Sequence, residues 1–159
     1  MESSDVHSML SVNILALSEL CRGFGRDFSE QGTGYILNVS SITGLAPMPH
    51  MSAYGASKAY VLNFGLALNE ELKDTGVSVT TSLPGPIRTK FLLRHGFEDA
   101  RWASSSEHLL DPEKVAKEAI QALFEKKSLV FHRYSHALMA WFLQYIPRTL
   151  TPKLLRFFV

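Results

Sequence analysis

The sequence carries a single cysteine, Cys21, so no disulfide can close within the chain. It has little charge, 19% of residues, and its 16 basic and 15 acidic side chains net to +1, which leaves no general footprint for nucleic acid. Ten glycines and seven prolines in 159 residues are too few for a collagen or a linker, and 46% hydrophobic content is too high for a disordered chain. No charged segment followed by an apolar run opens the sequence, so no secretory signal is read. The uncharged apolar run of the tail, Tyr134 to Ile146, is 13 residues long, against roughly 20 for a spanning helix. What remains is the composition of one soluble domain, expected in the cytoplasm. Its charge is uneven: Lys126, Lys127, Arg133, Arg148, Lys153 and Arg156 meet no acidic residue after Glu125, so the last 34 residues carry +6 and the first 125 carry −5.

The order of segments is informative. Over residues 6–28, Met9, Leu10, Val12, Leu15, Leu17, Leu20, Phe24 and Phe28 recur at helical spacing, with Ser3, Ser4 or Asp5 able to cap the helix. Gln31-Gly32-Thr33-Gly34 breaks the chain, and Tyr35-Ile36-Leu37-Asn38-Val39 reads as a short buried strand. A helix over about 51–73 stops at Gly76, a residue that takes a left-handed cap without a Cβ penalty. The strand Val77 to Leu83 follows and ends at Pro84-Gly85-Pro86. Asp111-Pro112-Glu113 starts another helix, with Val115, Ala119, Ile120, Leu123 and Phe124 as its apolar stripe, and Ser128 to His132 reads as a third strand. Helices alternating with strands predict right-handed crossovers and a parallel sheet with helices on both faces.

Two segments carry chemistry: Asn38-Val39-Ser40-Ser41-Ile42-Thr43-Gly44 and Tyr54-Gly55-Ala56-Ser57-Lys58. Tyr54 and Lys58 are i and i+4, so on a helix they share a face and the ammonium can approach the phenol. A nearby cation favours phenolate, and the expectation is a tyrosine pKa below about 10. Such a phenol can exchange a proton with an alcohol or carbonyl oxygen. Ser41, leaving a strand end, could bond the same oxygen. Proton chemistry at an oxygen, with no metal and no nucleophilic cysteine, suits hydride transfer at the attached carbon.

On these residues the sequence resembles the short-chain dehydrogenase/reductase family. The resemblance runs from about residue 8 to 130 in the family's order: an asparagine in the first helix, the NVSS strand, YxxxK thirteen residues after the serine, and PG-x-x-x-T after the next strand. The resemblance implies that Tyr54 is the general acid/base, that Ser41 positions the substrate oxygen, and that Lys58 lowers the Tyr54 pKa while binding nicotinamide ribose hydroxyls. It implies that Asn13 helps hold a proton-relay water and that Pro84, Gly85, Ile87 and Thr89 contact the nicotinamide end of the cofactor. Ser40 is the rival of Ser41; the thirteen-residue spacing favours Ser41. The implied cofactor is NADP or NAD, with NADPH set slightly ahead, and the substrate a small-molecule carbonyl or secondary alcohol, in the manner of ketoacyl or hydroxysteroid reductases. Phe91, Leu92, Leu93, Phe97 and Trp102, in what would be the family's substrate loop, suit an apolar substrate or ordinary packing equally.

The resemblance lacks one part. A Gly-rich strand-to-helix turn that cradles the pyrophosphate is missing, since Gly23-Phe24-Gly25 lies in a helix without a preceding strand or a third glycine. The chain reads as beginning near the fifth unit of the fold, a partial Rossmann-type doubly wound sheet with flanking helices. The expectation is therefore one partial domain over 1–159, with 133–159 a basic aromatic extension, weak cofactor binding by the chain alone, and an unpaired edge on strand 35–40. Helices 6–28 and 51–73 are those that pair in family dimers, so a homodimer is expected. The tail suits either packing or peripheral contact with a membrane surface. Blander readings stand beside these: Ser41 as a turn cap, Asn13 as a helix-face amide, Thr89 as a helix cap, Cys21 as a small buried hydrophobe. His132 and His136 share i, i+4 spacing, but no third ligand accompanies them, and no metal is expected. The alternative function is a non-catalytic fragment serving dimerisation or membrane contact.

Overall fold

The computed structural model describes residues 3–90 and 109–156. The first helical stretch is one rod in three parts: α1 (Ser3–Leu10), a π-helical segment (Ser11–Ala16) and α2 (Leu17–Gln31). The wider π turn shifts the hydrogen-bond ladder by one residue and re-aims the side chains beyond it. Gly32 closes α2 at φ 73 in the left-handed region, with its N–H on the Phe28 and Ser29 carbonyls. Strand β1 (Gly34–Val39) follows, then a single 3₁₀ turn (Ile42–Gly44) and helix α3 (Ser52–Leu72).

A second 3₁₀ turn (Lys73–Thr75) carries α3 into Gly76, at φ 82, and into β2 (Val77–Leu83). Helix α4 (Pro112–Phe124) begins as the sequence requires: Asp111 accepts from the Glu113 N–H at 3.4 Å and Pro112 takes a first-turn position where its missing N–H costs nothing. Strand β3 (Leu129–Phe131) and helices α5 (Tyr134–Leu143) and α6 (Thr151–Leu155) complete the described chain.

The sheet is parallel throughout, in the order β1-β2-β3, with Gly34 opposite Val77 and Val39 opposite Ser82. Alternation along β2 assigns the helices to opposite faces. Val79 packs with Cys21 and Leu68 in a core that also takes Leu17, Ile36, Phe64 and Leu72, all from the α2 and α3 side or β1. Between these positions, Thr80 donates to the Lys127 carbonyl at 2.6 Å and Ser82 meets His132 at 2.8 Å on the α4 side. Cys21 is buried as expected, and its thiol also donates to Asn38 Oδ1 at 3.3 Å; burial pushes its pKa up, which disfavours the thiolate.

One stripe differs from expectation. Val115 and Ala119 of α4 are buried, but the third buried residue is Ala122, while Ile120 and Phe124 are exposed at 48% and 63%. Small side chains let α4 lie close to the sheet, and Phe124 is displaced outward onto the Tyr35 ring, centroids 5.4 Å apart. Among the described residues no helix is long and apolar enough to cross a membrane.

Candidate active site

Parallel strands bring their carboxyl ends to one rim of the sheet, where chain reversals leave a crevice. Here that rim receives Ser40 and Ser41 from β1, Pro84 and Gly85 from β2, and the first turns of α3 with Tyr54 and Lys58. The pieces are tied by short hydrogen bonds. The Ser40 N–H donates to the Ser82 carbonyl at 2.8 Å and the Ile42 N–H to the Pro84 carbonyl at 3.1 Å, so the two loops leave the sheet side by side.

The two serines have separate tasks. Ser40, 2% exposed, donates its hydroxyl to the Lys58 carbonyl at 2.7 Å and thereby pins α3 to the end of β1. Ser41 accepts from the Thr43 N–H at 3.2 Å, so it does cap the 3₁₀ turn; the same side chain hydrogen-bonds Tyr54. The geometry thus brings Ser41, not Ser40, to the phenol. Gly44 makes the approach feasible: a Cβ there would lie 2.7 Å from the Lys58 carbonyl carbon and 2.8 Å from the Ala59 nitrogen.

Lys58 places its Nζ 5.7 Å from the Tyr54 ring centroid, within the reach of a cation over an aromatic face, and donates to the Val39 carbonyl at 3.0 Å. Asn13, in the π-helical segment, donates to Ser57 Oγ at 3.1 Å, and Ser57 donates to the Tyr54 carbonyl at 2.8 Å. The asparagine therefore reaches the helix of the tyrosine and lysine through one intervening hydroxyl.

The expected depression of the Tyr54 pKa is corrected by this structure. Burial pushes the phenol up from its ordinary value, against a smaller downward pull from the Ser41 hydrogen bond. Burial likewise pushes Lys58 down. Removing water penalises whichever form carries charge, and at this separation that penalty outweighs the attraction between ammonium and phenolate. The resting pair is thus a neutral phenol beside a lysine whose cation is weakened, an arrangement suited to giving a proton to a substrate oxygen.

In the loop after β2, on the same rim, Pro84 and Gly85 are buried, Ile87 forms a parallel bridge with Leu110, and Thr89 sits on the exposed bend beyond it. Phe91, Leu92, Leu93, Phe97 and Trp102 lie outside the described residues. His132 and His136 do not form a metal pair: His132 precedes α5 and has both ring nitrogens engaged, by Ser82 and Glu118, each at 2.8 Å. Sequence reasoning missed Ser57 and Glu118, whose roles depend on contacts 44 and 14 residues apart in the chain.

The family model for short chain dehydrogenases matches residues 1–96, over half of the sequence. The chain belongs to the short-chain dehydrogenase family. A Mycobacterium tuberculosis protein named "Probable oxidoreductase EphD" is 35% identical over 135 residues, covering 76% of this chain and 23% of that protein. The 7beta-hydroxysteroid dehydrogenase of Collinsella aerofaciens is 30% identical over 123 residues, covering 77% of this chain and 47% of that one. In structure, a short-chain dehydrogenase from Sphingobium yanoikuyae in complex with NADPH superposes with a TM-score of 0.74 at 25% identity, over 93% of this chain and 59% of that one. This short-chain dehydrogenase chain therefore spans a quarter to three fifths of the lengths of these three proteins.

The donor set of the site fits the nicotinamide half of a dinucleotide. A half-buried lysine amine and a phenol flank the crevice and can meet ribose hydroxyls, and the Gly85 and Ile87 backbone stands in the loop on the same rim. Gly23 and Gly25 lie inside α2 and make no phosphate cradle, as their sequence context required.

Proposed function

We propose that this chain carries the proton-transfer and nicotinamide-facing part of an NAD(P)-dependent oxidoreductase acting on a carbonyl or secondary alcohol. The observation that carries the reading is the Ser41 hydrogen bond to Tyr54 with the Lys58 amine 5.7 Å from the same ring, at the carboxyl rim of a parallel sheet. When bound, the nicotinamide supplies or accepts the hydride at the substrate carbon. Tyr54 does the rest of the bookkeeping: in reduction its hydroxyl proton passes to the oxygen as negative charge builds there, and in oxidation it takes that proton back. Ser41 donates to the same oxygen and orients it. Lys58 holds ribose hydroxyls and stabilises the phenolate left after transfer, when its charge matters most. Asn13 keeps the first turns of α3 in place through Ser57 and can hold a water that returns the proton.

NADP or NAD is the cofactor in this reading; the Sphingobium structure holds NADPH. Pro84, Gly85, Ile87 and Thr89 line its nicotinamide end. A lipophilic substrate is supported by the likeness to a hydroxysteroid dehydrogenase. The test is NADPH and NADH oxidation with a panel of apolar ketones, wild type against Tyr54→Phe. A loss of about 10² to 10⁴-fold in kcat is expected from removing a positioned acid. Equal turnover by the two proteins overturns the assignment, and turnover by neither returns the chain to the non-catalytic alternative.

The same reading extends to surroundings. Val12, Leu15, Leu20 and Phe24 on the α1 to α2 rod are more than half exposed, and Tyr60 of α3 lies beside them through a 2.7 Å hydrogen bond to Ser18. This patch suits a homodimer; a monomer by sedimentation at micromolar concentration excludes it. Residues 133–159 form the basic aromatic extension. Exposed Tyr134, Trp141, Phe142 and Tyr145 next to Arg133 and Arg148 suit peripheral contact with anionic lipid by a protein of the cytoplasm. Co-sedimentation with anionic vesicles that is undiminished by Trp141→Ser with Phe142→Ser excludes that contact.

A further inference from the structure

We infer that His132 and His136 are positioning residues that brace the Pro84–Ile87 loop, an inference that rests on the reading above, in which this loop faces the nicotinamide. The loop has few means of its own to hold a shape. Pro84 and Pro86 have no N–H to donate, and Gly85 has no side chain. Its backbone ties are the Pro84 carbonyl to Ile42, the Pro86 carbonyl to Leu110 and the Ile87 bridge to Leu110. Among the described residues, further restraint comes from two histidines far away in the chain.

His132 acts on the strand end from which the loop issues. Its side chain is 1% exposed and lies between Glu118 Oε2 and Ser82 Oγ, 2.8 Å from each. An ionised carboxylate only accepts, so Nδ1–H donates to Glu118; in the neutral tautomer Nε2 then accepts from the Ser82 hydroxyl. Ser82 stands two residues before Pro84, and its carbonyl receives the Ser40 N–H. Holding the Ser82 side chain thus fixes the point where β2 ends and, across the ladder, the point where Ser40 and Ser41 leave β1.

His136 acts on the loop directly. It lies in the first turn of α5 with its ring against Gly85, so close that a Cβ added to the glycine would fall within the ring's van der Waals envelope. Its Nδ1 is buried with no hydrogen-bond partner, so the ring is placed by packing rather than by a polar contact. Burial, with Arg133 and His132 nearby, keeps its pKa below the ordinary histidine value, which favours the neutral ring that such packing needs.

Amide hydrogen exchange on the full chain tests the brace without requiring turnover. In His136→Ala the Ile42 N–H should exchange about tenfold faster, and in His132→Gln the Ser40 N–H likewise, as expected for losing one local contact. The Val79 N–H, held by Asn69 Oδ1 at 2.9 Å on the other side of the sheet, should not change. Gly85→Ala should also speed Ile42, and combining it with His136→Ala should bring the rate back toward wild type, because the new methyl takes the space the ring left. In turnover, the His136→Ala and His132→Gln proteins should show a raised cofactor KM with kcat little altered. Unchanged Ile42 and Ser40 rates, or Val79 accelerated equally, overturn the brace. Accelerated rates together with undiminished turnover by Tyr54→Phe would instead keep the brace and remove the catalytic reading of the site.

Discussion

β1 and β2 are paired residue for residue, yet they are built for different purposes. All seven residues of β2 are buried, whereas β1 buries Asn38 alone and leaves Tyr35 40% and Val39 50% exposed. The central strand is covered by helices on both faces and bonded along both edges; β1 is bonded along one edge among the described residues. Both strands end at the same rim, but Ser41 follows the less covered one and the Pro84 loop follows the more covered one. Burial is concentrated where the fold must not move, and the hydroxyl that meets Tyr54 leaves the strand with the lighter cover.

The contrast can be broken by truncation. Leu83→Ala, at a fully buried position of β2, should cost about 2–5 kcal/mol in denaturant unfolding, through lost transfer energy and a residual cavity. Val39→Ala on β1 should cost well under that, about 0.5 kcal/mol or less, because half its surface is already in water. Equal losses would show that the exposed edge carries as much of the folding energy as the centre.

The two serines sharpen it. Ser41→Ala should lower turnover about ten- to a hundredfold with little change in melting, since the lost group bonds the Tyr54 phenol, the proposed acid. Ser40→Ala should do the reverse: about 1 kcal/mol of stability is lost with its bond to the Lys58 carbonyl, and kcat changes little. Steady-state kinetics beside thermal melts separate the two, and exchanged outcomes would move the catalytic role to Ser40.

The smallest effect is electrostatic. Because burial raises the Tyr54 pKa, the wild-type minus Tyr54→Phe phenolate absorbance should rise at a pH above the ordinary 10.0. The folded state holds this proton more tightly than the unfolded chain. Its contribution to stability is thus complete below the unfolded pKa and lost as pH rises through the raised folded one. Lys58 runs the other way, since its pKa is lowered: its contribution is complete above the ordinary 10.5 and declines as pH falls through the folded value. A difference midpoint below 10 would reverse the direction of the shift and restore a phenol lowered by its lysine.

Much of this architecture was legible because it is written in local signals. Gly32 and Gly76 mark the two helix ends with positive φ, and Asp111-Pro112 marks the start of α4. Tyr54 and Lys58 share a face by helical spacing alone. Other features are set by tertiary contact and leave no local trace. The π turn at Ser11–Ala16 inserts no break in the apolar pattern, so the helix reads as continuous. The direction of the Tyr54 shift depends on how much water the folded chain removes, a quantity spacing does not carry. His132 and His136 have the interval of one helix face, but α5 starts only at Tyr134, and their partners come from β2, α4 and the Gly85 turn.

The contact between Gly44 and the backbone of Lys58 and Ala59 has a consequence for heat and time. Where main chain rests on main chain, no rotamer stands between the turn and the helix to be repopulated as temperature rises. The spacing between the Ser41 turn and the Tyr54 helix is then gauged like a machined shoulder, main chain against main chain.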